Sequence, residues 1–486
     1  MNMNKIFDIR PSTRQLDWQR LEFYGFIHFG MNAMTGREWG EGHEDPALFD
    51  PQHLDAAEWV TILKQAGMKA VILTCKHHDG FCLWPSKYTK HSVASSPWRD
   101  GQGDLVREVS EACQKFGLKF GVYLSPWDRT ERSYGEGQAY DDFYVNQLTE
   151  LLTQYGEIGC VWLDGANGEG PSGKRQNYDW DRYYETVRRL QPQCVISVCG
   201  PDIRWVGNEA GHTRREEWSV VPRALQDAEK TAEKSQQTDD PSFARSVHSM
   251  EEDLGSREAI VRYGGEWVWY PAEVNTSIRP GWFYHAEEDR QVRSARELFN
   301  IYLKAVGGNA MFLLNVPPDR DGRIATPDRE ALAELGARIA ELNDLRLIHG
   351  TKWTASSAAS EKETAEVLGG GAPDRGWRPS GTDTEPWVQM VLPETRAFNA
   401  VILQEHIVQG QRVEAFELWV SVENGNERDD ETKNSDEWRR IGEGTIVGHK
   451  KILPLPLTTA RRVRIVFKRY RGYPTLAAFQ LALWSE

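Results

Sequence analysis

"LKFGVYLSPWD" (residues 118–128) is an apolar run that ends on polar and aromatic side chains, and its neighbours in the chain decide the fold. A helix-period stretch closed by glycine, "DDFYVNQLTELLTQYG" (141–156), leads to a second apolar run, "IGCVWLDG" (158–165), which stops on Asp164. Strand, helix and strand in that order predict a parallel pair, whose strands are covered on both faces and so read as continuous apolar runs. The pattern repeats outward in both directions. Upstream lie "FYGFIHFG" (23–30), the helical "LDAAEWVTILKQAG" (54–67), "KAVILTCKHHDGF" (69–81) and the helical "GDLVREVSEACQKFG" (103–117). Downstream lie a helix near 179–190, "CVISVCGPD" (194–202), an irregular polar stretch over 205–265, "EWVWYPAEV" (266–274), a helix near 287–306 and "NAMFLLNVPPD" (309–319). About eight strand candidates fit a (β/α)8-like, TIM-type barrel better than a doubly wound sheet. No GxGxxG follows the first strand, which removes the main support for a dinucleotide site.

"TPDREALAELGARIAELNDLRLIHG" (326–350) predicts one more helix, with Thr326 as N-cap and Pro327 at its first position. Beyond it the texture changes to turns and short alternating segments, among them "PWVQMVL", "FNAVILQEH", "VEAFELWVSV" and "RRVRIVFK". That is the pattern of an all-β sandwich. The expected division is therefore a barrel over 1–348 and a sandwich over 349–486, with 424–437 an exposed polar loop.

Composition narrows the function. With 58 basic against 72 acidic residues the net charge is −14, which argues against a nucleic-acid footprint or an anionic membrane surface. No apolar run is long enough to span a bilayer. The first residues lack a secretory apolar core, which leaves a cytoplasmic protein and an exported one without its leader both open. All six cysteines fall in the first 200 residues without a CxxC pair, and several sit in strand-like runs, so buried free thiols are expected. Nineteen tryptophans suit a thick core, and their flat faces also suit sugar rings.

In a parallel barrel the working face lies at the C-terminal ends of the strands. Those ends carry His28, then His77, His78 and Asp79, then Tyr123 and Trp127, then Trp162 and Asp164. Period two puts Trp162 and Asp164 on one side, and predicts opposite faces for the adjacent His77 and His78. That separation, with no further ligands evident, speaks against a metal. Glycoside cleavage needs two carboxyl groups, one to attack or activate water and one to protonate the leaving oxygen. Asp164 is the candidate nucleophile. The partner candidates are Glu209, Glu216, Glu217 and Glu273. Glu209 lies in a turn-prone segment beside Trp205, an apolar wall that would raise its pKa, whereas Arg214 and Arg215 would lower those of Glu216 and Glu217.

"FIHFG", "REW" (37–39), "KHHDGF" (76–81), "VWLDG" (161–165) and "RPGWFYH" (279–285) resemble, in order, the α-L-fucosidases of glycoside hydrolase family 29. The likeness covers roughly residues 8–345. It implies a retaining exo-enzyme with a barrel that is often irregular in its second half, a fucosylated glycan as substrate and no cofactor. It also implies Asp164 as nucleophile and a fucose pocket of His28, Glu38, Trp39, His77, His78, Tyr123 and Trp162, with Trp282 against the methyl at C5. "WVGNE" (205–209) with "RPGWFYH" resembles the branch acting on α-1,3- or α-1,4-linked fucose of Lewis-type glycans, which implies Glu209 as acid/base. The C-terminal unit, in "TASSAASE" and "EPWVQMVLPE", resembles discoidin-like, coagulation-factor-type sandwiches that bind sugar or brace a neighbour. The rivals are an enzyme of broader or α-1,2/1,6 linkage preference, a non-catalytic fucose-binding protein and a barrel metallohydrolase.

Overall fold

A computed structural model describes residues 3–229, 231, 253–369, 375–422 and 437–484. Among the described residues, ten strands precede the sandwich: β1 (Phe23–Ile27), β2 (Ala70–Lys76), β3 (Lys119–Leu124), β4 (Cys160–Leu163), β5 (Val195–Val198), β6 (Arg204–Trp205), β7 (Val220–Pro222), β8 (Trp267–Trp269), β9 (Ala272–Ser277) and β10 (Met311–Asn315). Eight of them form one parallel sheet in the order β5-β4-β3-β2-β1-β10-β9-β6. The two edges approach each other through a single parallel bridge between Ser197 and Ile203, so the sheet is a nearly closed barrel. All seven residues of β2 are buried, as expected of a strand covered on both faces.

The intervening helices begin and end where local chemistry dictates. The Asp104 carboxylate accepts from the Arg107 N–H at the start of Leu105–Phe116, and Gly117, at φ 75°, ends that helix in the left-handed region. The Asp55 carboxylate caps Ala56–Gln65 in the same way.

The second half departs from the regular repeat. Between β5 and β6 there is no helix; Val198 takes φ 66°, strained for a β-branched residue, and the chain turns back at once. The stretch 266–274 is not one strand. Tyr270 and Pro271 separate β8 from β9, and β8 pairs antiparallel with β7 outside the barrel. The helix expected near 287–306 is a 3-10 segment, Ala286–Gln291, followed by a helix over Ala295–Ala305. The last helix, Thr326–Leu342, has Ala325 rather than Thr326 at its N-cap position, with no side-chain cap, and is shorter than the periodicity suggests. The polar loop expected over 424–437 lies outside the described residues, except for Glu437, which opens a strand. All six cysteines are buried and free. Among the described residues, no helix is long and apolar enough to cross a membrane.

The C-terminal unit is antiparallel, built on two long strands, β12 (Trp387–Gln404) and β15 (Lys451–Tyr470), with β11 (Lys352–Ala355), β13 (Val413–Val422), β14 (Glu437–Gly444) and β16 (Ala478–Ala482) beside them. Register shifts at Val391/Arg396 and Phe398/Ala400 interrupt the β12–β15 ladder. Trp353, Trp377, Phe398, Phe416, Phe467 and Phe479 fill its core.

Ala400, Ile402, Ile452 and Ala482 of this unit pack into the barrel core. Gly307 permits the approach, because a Cβ there would lie 2.7 Å from that of Ile452. Beside this seam the buried Glu22 carboxylate accepts from His449 Nε2 at 3.0 Å and from Lys450 Nζ at 2.5 Å. Burial alone would raise the pKa of Glu22, but the Lys450 charge and His449 outweigh it and hold the group far below the usual carboxylate range.

Removing one partner of a buried ion pair leaves the other charge uncompensated. Lys450→Met is therefore expected to lower unfolding stability by about 3–5 kcal/mol. Adding Glu22→Gln to it should recover part of that loss, which a double-mutant cycle in denaturant would read.

Candidate active site

The C-terminal ends of the barrel strands surround a cavity open to solvent on one side. His28, Glu38, Trp39, His77, His78, Tyr123, Trp162, Asp164, Glu209 and Trp282 all line it, together with Phe26, Ala166 and Asn275. His28 follows β1, Asp164 follows β4, and Tyr123 and Trp162 sit near the ends of β3 and β4. Glu38 and Trp39 come from the loop after β1, Glu209 from the loop after β6, and Trp282 from the loop after β9.

His77 and His78 do not point to opposite faces. Strand β2 ends at Lys76, with a register shift between Thr74 and Lys76, so both histidines lie beyond the pleat. Their ring centroids are 3.9 Å apart and both reach the cavity. Lys76 instead turns into the protein, onto Asp128 at 2.7 Å and Gln147 at 2.9 Å.

Burial holds the pKa of all three cavity histidines down, to about 3 for His28 and well below the usual value for His77 and His78. They are therefore neutral imidazoles at neutral pH, and their neighbours set the tautomers. Asn315 donates to Ser277 Oγ and to the Trp282 carbonyl, leaving its Oδ1 to accept from His28 Nδ1 at 2.9 Å. The free Nε2 of His28 is thus an acceptor. Ser125 gives its proton to the Trp127 carbonyl, so His78 Nδ1 donates to Ser125 Oγ at 2.7 Å and its Nε2 also carries a lone pair. His77 is the reverse. Asn32 Nδ2 donates to its Nδ1 at 3.2 Å, which leaves Nε2–H to donate into the cavity. Two acceptors and one donor converge on the same space, an arrangement suited to a ligand rich in hydroxyl groups.

Asp164 accepts from Tyr123 Oη at 2.7 Å and from the Ala166 N–H at 2.9 Å. Burial raises its pKa above the usual aspartate value, and those two hydrogen bonds pull against the rise. For Glu209, burial acts first and the Asp164 carboxylate second, with Glu38 adding to them; together they push its pKa up to about 8, while the Trp282 indole N–H, donating at 3.1 Å, opposes the rise. Glu209 is thus held protonated up to about pH 8, whereas the hydrogen bonds on Asp164 favour its ionised form, a difference of the kind that acid–base chemistry uses. Glu38 accepts from the Trp282 N–H at 2.8 Å and pairs with His285 at 2.7 Å.

The other carboxyl candidates lie outside the cavity. Glu217 is buried on Arg204 at 2.8 Å and Arg214 at 3.2 Å, and those charges, overcoming its burial, hold its pKa down. Glu216 does not line the cavity. Glu273 sits beneath it, accepting from Trp162 Nε1 at 2.8 Å, from Ser197 at 3.3 Å and from Tyr24. Trp205 is not the wall beside Glu209; its indole donates to Asn275 at 2.8 Å, and Trp282 takes that place. Trp127 packs edge-on against Trp39 at 5.2 Å. Asp79 caps a turn, accepting from the Phe81 N–H at 2.8 Å. Among the described residues, no group of three or more His, Cys, Asp or Glu side chains is disposed to hold a metal.

Comparison with known proteins accords with this geometry. A family model for α-L-fucosidase matches residues 21–342. The chain belongs to the α-L-fucosidase family. A second model, for the F5/8 type C domain, matches residues 352–479. Alpha-L-fucosidase 1 of Arabidopsis thaliana is 40% identical over 475 residues, spanning 96% of this chain and 86% of that protein. A Bacteroides ovatus structure is 42% identical with a TM-score of 0.83, covering 100% of this chain and 77% of its own. The Ruminococcus gnavus GH29 fucosidase in complex with fucose is 27% identical with a TM-score of 0.82, covering 99% of this chain and 96% of its own. This α-L-fucosidase of glycoside hydrolase family 29 hydrolyses fucosides, on a barrel followed by a β-sandwich.

The sequence reading missed the residues that hold the site from behind: Asn32, Ser125, Asn275 and Asn315. Asn275 and Asn315 stand in β9 and β10 towards their C-terminal ends, where the same strand-end rule would have found them. Asn32 carries no sequence signal. Replacing it with leucine removes the donor that fixes the His77 tautomer. Asn32→Leu should raise KM for fucosides roughly tenfold, about 1.4 kcal/mol, with a much smaller change in kcat, as steady-state kinetics on an aryl α-L-fucoside would show.

Proposed function

We propose that the enzyme is a retaining exo-α-L-fucosidase that releases L-fucose from α-1,3/1,4-fucosylated, Lewis-type glycans. Asp164 attacks C1 of the fucosyl unit as the C1–O bond breaks, and Glu209 gives its proton to the departing oxygen. Glu209 then takes a proton from water, whose oxygen displaces Asp164 and restores the original configuration. His28, Glu38, Trp39, His77, His78, Tyr123 and Trp162 hold the sugar hydroxyls and ring, and Trp282 faces the C5 methyl. The observation that carries the reading is the pair of carboxyl groups in one cavity, with the pKa of Glu209 raised to about 8 by burial and by Asp164. The linkage rests on "WVGNE" with "RPGWFYH", sequence features of the α-1,3/1,4-acting branch. In this reading the catalytic unit is 1–348 and the sandwich, 349–486, braces it through the Glu22–Lys450 seam.

Substitution tests the roles. Asp164→Ala should abolish fucose release from a Lewis trisaccharide and from an aryl α-L-fucoside. Glu209→Ala should lose at least about 100-fold on the trisaccharide, and far less on the aryl fucoside, whose leaving group needs little protonation. Wild type that cleaves only the aryl substrate would leave a fucosidase of another linkage; binding of fucose without turnover would favour the non-catalytic reading.

The pH dependence comes from the same pair. Glu209 must be protonated, so activity falls as pH rises through about 8. Asp164 must be ionised, and its raised pKa moves the acid limb above that of an ordinary aspartate. A kcat/KM profile on the trisaccharide reads both limbs.

A further inference from the structure

The loop that carries Glu209 is fixed along its backbone but not at its catalytic tip. Asn208 Oδ1 accepts from the Ala210 N–H at 3.1 Å and from the His212 N–H at 3.2 Å, which closes the turn. Among the described residues, the Glu209 carboxyl itself receives one hydrogen bond, from Trp282 Nε1 at 3.1 Å. An acid with a single anchor keeps its second oxygen free, and the anchor decides where that oxygen faces.

Trp282 is itself held from both sides. Its N–H donates to Glu38 Oε2 at 2.8 Å, and its carbonyl accepts from Asn315 Nδ2 at 2.8 Å. The preceding carbonyl, of Gly281, accepts from Ser277 Oγ at 2.7 Å. Glycine at 281 leaves room for this carboxylate, since a Cβ there would lie 2.7 Å from Glu38 Oε1 and push it aside. The indole therefore projects from a backbone pinned by the same Glu38 that lines the cavity, and its N–H ends on the acid.

We infer that Trp282 is the positioning residue of the acid–base step: its indole N–H holds Glu209 Oε2, so that the other oxygen carries the proton towards the departing glycosidic oxygen. This rests on the assignment of Glu209 as acid/base under the proposed function. It goes beyond an apolar contact with the sugar, because it gives the two ends of Trp282 different tasks, the ring face for the ligand and the N–H for the catalyst. The N–H also stabilises the ionised form, which tempers the rise in the pKa of Glu209 and makes it the stronger acid in the first step, at some cost to its strength as a base in the second.

Trp282→Phe keeps an aromatic face and removes the donor. Its loss of kcat on a Lewis trisaccharide should exceed its loss on an aryl α-L-fucoside with a good leaving group by about tenfold. The alkaline limb of the trisaccharide profile should move to higher pH, because loss of the donor favours the protonated carboxyl. Equal losses of kcat on both substrates with an unmoved alkaline limb would overturn the inference and leave Trp282 as a wall of the pocket. Glu209→Ala, run in parallel, separates the two assignments: if it shows no dependence on the leaving group, the reading of Glu209 fails first. Should Trp282→Phe not fold, the indole N–H resonances of the 15N-tryptophan-labelled wild type and Glu209→Gln serve instead. One indole signal should titrate with a midpoint near 8 in wild type and lose that titration in Glu209→Gln. If no indole signal does so, Trp282 does not hold the acid.

Discussion

Two carboxyl groups facing each other in a half-buried cavity, Asp164 and Glu209, cannot both ionise cheaply, and the site of this α-L-fucosidase is organised around that constraint. Burial raises the pKa of Asp164 and of Glu209, and the charge of Asp164 adds to the rise at Glu209. The difference between them comes from their partners. Asp164 receives a tyrosine hydroxyl and a backbone N–H, which favour its ionised form. Glu209 receives one indole N–H and faces two other acidic groups. Neither environment is local in the chain, since Tyr123 comes from β3 and Trp282 from the loop after β9.

The barrel is what brings those groups together. Each strand ends at the same rim, so residues separated by more than a hundred positions meet without any long side chain being stretched to its limit. The polar residues behind the rim matter as much as those on it. Asn32, Ser125 and Asn315 choose the tautomers of three neutral histidines, so the cavity offers a fixed pattern of donors and acceptors before any ligand arrives. Preorganisation of this kind costs nothing further at the moment of reaction.

The parts of this arrangement legible in the sequence are those set by period and by strand ends. Continuous apolar runs marked β1 to β5 and β10 as buried parallel strands, and the residues closing them marked the rim. The turn-prone setting of Glu209 was also readable, although its apolar neighbour is Trp282 rather than Trp205. The rest depended on tertiary detail. A two-residue strand such as β6 has no periodicity to detect. Tyr270 and Pro271 split what reads as one strand, because β8 finds its partner in β7. His77 and His78 share a cavity only because β2 ends one residue earlier, which no alternation rule can show. The seam between barrel and sandwich joins Glu22 to Lys450 across more than four hundred residues, and the charges of neither segment announce it.

The central claim, that Asp164 is the nucleophile facing a protonated Glu209, is tested most directly by trapping the glycosyl-enzyme. A 2-deoxy-2-fluoro-α-L-fucosyl fluoride slows the second step more than the first, so the covalent species accumulates and can be mapped by peptide mass spectrometry. The account predicts one added fluorofucosyl group on the peptide carrying Asp164. A label on another carboxylate, or no adduct from enzyme that hydrolyses fucosides at full rate, would contradict it.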